Sequence, residues 1–296
     1  MTGEMGMTED FAPDWLDLRE PYDAFARHPG LAALLSGALP QRPRLLDLGA
    51  GTGSLLRWLA PQLGRSQAWT LVDADPGLVE RAFLTTADRA EAQGWAVTWP
   101  GRRTQLVHAP GGTWRVEALI ANLVGAPANL PLHQVDAVVC SALCDLVSEG
   151  WVEALAEACA TRRLPFYATL NVDGATRFSP PLLGDALVAR GFARDQRRDK
   201  GFLGPALGPA APQVIAAAFA RHGYRITLAP SPWRIPPQDG EMAAEIATGH
   251  AEAALRHERR AATAIEAWLA RREAQADRLR LAVRIGHTDI LALPPR

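Results

Sequence analysis

One run of nine residues limits the possible folds of this chain more than any other. Leu45–Gly53 read Leu-Leu-Asp-Leu-Gly-Ala-Gly-Thr-Gly, and the helix-like Ser54-Leu55-Leu56-Arg57-Trp58-Leu59 follows at once. An apolar run cut off by alternate glycines and continued by apolar residues at helical spacing predicts a buried strand, a tight turn and a helix. Lacking a Cβ, Gly49, Gly51 and Gly53 can take positive φ and bring bare main chain, with the first N–H groups of the helix, against a ligand.

The spacing of the glycines narrows the ligand. A dinucleotide site needs Gly-x-Gly-x-x-Gly so that a pyrophosphate reaches the helix N-terminus. Here the position three after Gly51 is Ser54, and Asp47 stands two residues before Gly49. A carboxylate there repels a pyrophosphate and attracts a cation. A second apolar strand, Trp69–Asp73, ends in acid 20 residues after Gly53. At a strand tip, Asp73 can accept hydrogen bonds from both hydroxyls of a ribose. Asp75-Pro76 read as the N-cap and first residue of a helix over 76–93.

The glycine-rich stretch resembles motif I of the class I S-adenosylmethionine-dependent methyltransferases, and the resemblance extends over about residues 40–230. It implies S-adenosylmethionine as cofactor, whose sulfonium and ammonium suit Asp47, and methyl transfer to a small-molecule acceptor. The resemblance places Asp47, Gly49, Gly51, Gly53 and Asp73 around the cofactor. Asn122, after the third strand, would face the adenine amino group, with a surface-turn role as the alternative. Val135–Val147 resembles motif IV, which puts Ser141 against the cofactor and Asp145 in the substrate space. A helix before the first strand would fold over the cofactor, where Arg19 or Tyr22 meets the methionine carboxylate; an Arg19–Asp23 ion pair on the helix surface is the alternative.

Apolar runs at 44–48, 69–73, 115–121, 135–140, 166–171, 224–229 and 281–293 read as strands, and 53–63, 76–93, 150–161 and 211–222 as helices. The fold class is therefore α/β: a Rossmann-like, seven-stranded, mostly parallel sheet with helices on both faces. Short β-type runs between Trp95 and Gly112, broken by Pro-Gly and Gly-Gly, predict an inserted hairpin before the third strand that extends the sheet edge. Residues of about 240–280 carry apolar positions at helical intervals and are expected to form a helical insertion between the sixth and seventh strands, with Gly249 as its break or kink. That insertion either covers the site or holds two copies together as a homodimer. Residues 1–40 are read as an N-terminal helical cap and 41–296 as the methyltransferase domain.

Methyl transfer from a sulfonium has no fixed catalytic signature, since the cofactor brings its own leaving group. Candidates come from strand ends, where open α/β sheets bind ligands. Asp145, Asn171 and Lys200 are the catalytic candidates, and Asp145, Asn171, Asp199, Lys200 and Phe202 the substrate contacts. Lys200 is the single lysine of a chain with 31 Lys and Arg together, which singles out a compact ammonium in the charged, Gly- and Pro-rich stretch 194–209. Asp145, Asn171 and Asp173 are read as polar contacts or loop caps rather than a magnesium site, and no metal is assigned. His287 is either a general base or part of a bulge in the last strand.

A net charge of −1 gives no general attraction to nucleic acid or an anionic membrane, and a small molecule is the expected partner. Three cysteines are an odd number without metal spacing, so a reducing compartment, the cytoplasm, is expected. No apolar stretch approaches the roughly 20 residues of a membrane span, and Met1–Asp14 is acidic without a signal-like core. Two other readings stay open: a cofactor-binding protein without turnover, and a nicotinamide-dependent oxidoreductase.

Overall fold

The computed structural model describes residues 12–295; most of the acidic segment Met1–Asp14 lies outside them. Two helices, α1 (Pro13–Ala26) and α2 (Pro29–Ala38), precede the first strand. The chain then alternates β1 (Arg44–Leu48), α3 (Ser54–Leu63), β2 (Gln67–Asp73) and α4 (Pro76–Ala92). A meander follows through β3 (Ala96–Gly101), β4 (Thr104–Ala109) and β5 (Gly112–Ile120). Next come β6 (Ala137–Ser141), α5 (Glu149–Arg162), β7 (Phe166–Ser179), α6 (Asp185–Asp195), α7 (Ala211–Ala220) and β8 (Arg225–Pro230). The last elements are β9 (Trp233–Ile235), α8 (Gly240–His257), α9 (Ala262–Asp277) and β10 (Ala282–Leu293).

The sheet has the order β3-β4-β5-β2-β1-β6-β7-β10-β8, with β9 paired to β10. The seven expected strands form the continuous block from β5 to β8. β5, β2, β1, β6 and β7 pair in parallel, while β10 runs antiparallel to both β7 and β8. Alternation along the parallel strands explains why both faces are covered. Leu46, Leu48 and Val138 pack with Leu155, Ile215 and Phe219 of α5 and α7. Leu45, Trp69 and Val139 pack with Leu35, Leu59 and Phe83 of α2, α3 and α4. Cys140, Cys144 and Cys159 are buried free thiols of the first of these cores.

Several expectations are corrected. The seven strands and the edge hairpin β3-β4 are present as expected, and the short β9, which pairs with β10, brings the sheet to ten strands. β7 does not stop at residue 171 but continues to Ser179 against β10, through Leu170 at a left-handed φ of 56°. Asp185–Asp195 is a helix, which the dense charge of the region concealed. Gly249 does not break the insertion: α8 runs through it, and the chain turns only at Glu258 and the 3-10 turn Arg259–Ala261. An isolated helical glycine weakens a helix by about 1 kcal/mol without stopping it, and eight helical residues follow.

The insertion is held in place by its own core, in which Met242, Ile246, Ile265 and Trp268 pack on Phe178, Val188 and Trp233. Its one fully buried guanidinium among the described residues of that cluster, Arg272, bonds Asp185 at 2.5 Å and the carbonyl of Pro180 at 2.7 Å. The N-terminal helix is tied to the same region: Trp233 Nε1 donates to Asp23 at 3.0 Å, and Tyr22 donates to Asp239 at 2.8 Å.

Candidate active site

A cleft of about 370 Å³ opens at the carboxyl ends of β1, β2 and β6 and under α1. Its floor is the predicted turn. Gly49, Gly51 and Gly53 have φ of 63°, 52° and 82°, values that side chains disfavour. A Cβ on Gly51 would also come within 3.3 Å of Leu16 and close the gap between turn and α1. Gly49 and Gly51 line the cleft, whereas Gly53 caps α3 and packs on Ala82 and Arg57 outside it.

Two carboxylates face this floor in different states. Asp73 ends β2 and accepts the N–H of Gly51 at 2.8 Å on one oxygen and that of Asp75 at 3.0 Å on the other. Burial raises its pKa, and these backbone bonds pull it back. Each oxygen keeps a lone pair for a hydroxyl. Asp47 is 1% exposed, and neither of its oxygens has a hydrogen-bond partner among the described residues. Burial pushes its carboxyl up to about 8, with Arg27 opposing the rise and Asp73 adding to it. A buried carboxyl with two unanswered oxygens at the edge of a cleft is a place for a donor or cation that arrives with a ligand. Asp75 caps α4 through the N–H groups of Gly77 and Leu78.

Arg27 supports the floor and was not singled out by sequence. Its fully buried guanidinium donates to Ser54 Oγ at 2.7 Å and Ser141 Oγ at 2.9 Å, so it joins the start of α3 to the end of β6. Its place in sequence, after Ala26 at the end of α1, carries no periodic signal. Ser54 is likewise unanticipated as a lining residue.

The other candidates divide. Ser141, Asn122, Arg19, Lys200 and Phe202 all line the cleft. Asn122 also caps a 3-10 turn by accepting the N–H of Val124 at 2.8 Å, so lining and turn roles coincide. Arg19 pairs with Asp23 at 3.2 Å, largely buried rather than on the helix surface, and lines the cleft with its guanidinium 4.8 Å over the ring of Trp233. Tyr22 points away to Asp239 and lies outside the cleft. Asp199 is exposed and accepts the N–H of Gly201 at 2.8 Å, fixing the loop rather than lining either cavity. Asn171 is fully buried in β7, where its amide donates to the carbonyls of Ala168 and Thr288. Asp173 accepts the N–H of Ala175 at 2.8 Å. Among the described residues no group of His, Cys, Asp and Glu is placed to hold a metal ion.

A second chamber of about 490 Å³ adjoins the cleft and shares Arg19, Ala142, Leu146 and Lys200 with it. Asp145 lines this chamber, as do His250 of α8 and His287 of β10. Ala142, at the junction, has a left-handed φ of 52°. Strained backbone of this kind gathers at ligand sites.

No protein-family model matches the chain. Among solved structures, a cyclopropane-fatty-acyl-phospholipid synthase-like protein from Lactobacillus casei ATCC 334 is 15% identical and matches over 97% of this chain and 96% of its own, with a TM-score of 0.50. The chain has the class I S-adenosylmethionine-dependent methyltransferase fold. A methyltransferase from Thiobacillus denitrificans, solved with S-adenosyl-L-homocysteine, is 18% identical over 96% of this chain and 100% of its own, with a TM-score of 0.43. A curated relative, the biotin biosynthesis bifunctional protein BioCD of Bordetella avium (strain 197N), is 49% identical over 45 residues. That match spans 15% of this chain and only 10% of the relative. In this methyltransferase fold the cleft occupies the carboxyl ends of the strands, where open α/β sheets take their ligands.

Proposed function

We propose that this protein is an S-adenosylmethionine-dependent methyltransferase acting on a small-molecule acceptor. The observation that carries this reading is Asp47, a buried carboxyl with two unpartnered oxygens beside a floor of left-handed glycines. A pyrophosphate has no place there, and an amino-acid ammonium does. Asp73 supplies the acceptor pair for ribose hydroxyls, Asn122 closes the base end, and Arg19 offers a guanidinium to a carboxylate at the other. Ser141, anchored by Arg27, holds the middle of the cleft. When bound, the cofactor supplies a methyl group already attached to its leaving group, a sulfonium sulfur.

The residues of the chain then have to align the acceptor and keep water out. The junction at Ala142, Leu146 and Lys200 is where cofactor and acceptor sides meet, with Phe202 on the cleft side and Asp145 on the acceptor side. Lys200 is 8% exposed and belongs to both cavities, which suits a positioning role for its ammonium. The helices α1 and α2 act as the cap of the cleft, and the described residues from 41 onward as the domain that holds it. No described helix is long and apolar enough to cross a membrane.

Calorimetric titration with S-adenosylhomocysteine and, separately, with NAD tests the cofactor. Binding of S-adenosylhomocysteine alone is the expected result, and binding of NAD alone refutes the reading. Labelled S-adenosylmethionine incubated with a cell extract and the protein then identifies the acceptor from the labelled product.

A further inference from the structure

The second chamber contains polar groups and open space for which the protein itself has no use. His287 lies in β10 between two register shifts, one at Ile285/His287 and one at Thr288/Ile290. Bulges re-aim side chains out of the regular alternation, and here Gly286 and His287 both reach the chamber wall. The ring is 4% exposed, sits 5.1 Å from that of Trp233, and its Nδ1 has no partner among the described residues. Burial and the nearby Arg19 push its pKa down to about 3, so the ring is neutral near pH 7. A hydroxyl, which both donates and accepts, satisfies Nδ1 in either tautomer of a neutral imidazole.

Gly249 faces the same space from α8. It is helical, has no left-handed φ, and a Cβ there would meet nothing within 4 Å. Neither backbone conformation nor packing therefore requires a glycine, although glycine weakens a helix interior relative to alanine. The position is exposed on the chamber wall, so the missing side chain keeps that side of the chamber open. The surrounding wall combines aromatic and apolar side chains, Trp15, Trp233, Phe192 and Ile246, with charged ones that include Asp145, Glu245 and Lys200. Two of its cations are already paired, Arg19 with Asp23 and Arg256 with Asp195 at 2.8 Å.

We propose that the second chamber is the acceptor site and that it takes a ring-shaped molecule carrying a hydroxyl group. The hydroxyl bonds to His287 and the ring lies among Trp15, Trp233 and Phe192, with Gly249 keeping that side of the chamber open. This rests on the methyltransferase reading and adds the acceptor's chemical class to it. Aromatic side chains in the wall favour a ring-shaped body, and a neutral imidazole favours a hydroxyl as its partner.

The test uses the full-length protein saturated with S-adenosylhomocysteine, with phenol and anisole as probes; they share a ring, and anisole lacks the O–H. Phenol should bind and shift the imidazole nitrogen resonances of His287, and anisole should bind about tenfold more weakly, the value of one lost hydrogen bond. Gly249→Leu should weaken phenol by about tenfold or more through steric filling, and His287→Phe should bring phenol to the level of anisole. Equal affinity for the two probes, no uptake of phenol at about 20 mM, or unshifted His287 signals would overturn the proposal. These readings on the wild type stand even if a variant fails to fold. Failure of the wild type to bind S-adenosylhomocysteine is a separate result, and it would remove the methyltransferase reading and this one together.

Discussion

Asp47 gives the sharpest quantitative consequence of the site. Burial pushes its carboxyl up to about 8, outweighing the attraction of Arg27. At pH 7 about nine in ten molecules therefore carry it protonated, a bias of about 1.4 kcal/mol against the carboxylate. A ligand ammonium binds the carboxylate form, so observed affinity is the intrinsic affinity multiplied by the fraction ionised. That fraction is about one hundredth at pH 6, one tenth at pH 7 and one half at pH 8. Affinity for S-adenosylhomocysteine should accordingly rise about fiftyfold from pH 6 to pH 8, with close to one proton released per binding event at pH 7. Calorimetry in buffers of different ionisation enthalpy measures both quantities. Asp47→Asn keeps the shape and removes the titration, and the ligand's own ionisation, common to both proteins, cancels in the comparison. The variant should bind more weakly at pH 8 and show no proton release from this site. A wild-type affinity that follows the variant's pH profile would refute the placement of a cation at Asp47.

Asp73→Ala should weaken S-adenosylhomocysteine binding by about thirtyfold, equivalent to about 2 kcal/mol for the loss of hydrogen bonds to a charged acceptor; unchanged affinity in a titration would mean that the nucleoside lies elsewhere. Gly249→Ala should stabilise the protein by about 1 kcal/mol in denaturant unfolding, since its Cβ has open space; a loss of stability would reveal a contact that the structure does not contain. His250 stacks on Phe192 at 3.9 Å, and burial pushes its pKa down to about 4 from an ordinary 6.5. A depressed folded-state pKa gives stability that is present above 6.5 and lost as the pH falls toward 4. The difference in unfolding free energy between wild type and His250→Phe should thus shift against the wild type by up to about 1.4 kcal/mol per pH unit in that window, and a constant difference between pH 7 and pH 5 would contradict the burial of a neutral ring.

Where a signal was local, the chain carried it openly. Leu45–Gly53 specified strand, turn and helix because apolar alternation and glycine spacing act over a few residues, and the register of Asp47 and Asp73 at adjacent strands followed. The helix N-cap at Asp75-Pro76 and the edge hairpin before β5 were legible for the same reason. Asn171 misled because a strand's end is set by its partner: β10 pairs past residue 171, and Asn171 is turned to backbone carbonyls, while Asp173 caps the backbone as the loop-cap reading expected. Tyr22 was placed on the correct helix but on the wrong side of it, since which face of α1 meets the cleft depends on Asp239, 217 residues away.

The sequence by itself determined the α/β class, the glycine floor and the two carboxylates that mark the cleft, because these depend on backbone propensity and on spacing within single elements. Tertiary structure alone decided that Arg27 would lie buried beneath Ser54 and Ser141, that α8 would wall a second chamber, and that His287 would turn into it. Those outcomes need parts of the chain far apart in sequence to be packed together, and it is their shared exclusion of water that gives the buried groups their altered chemistry.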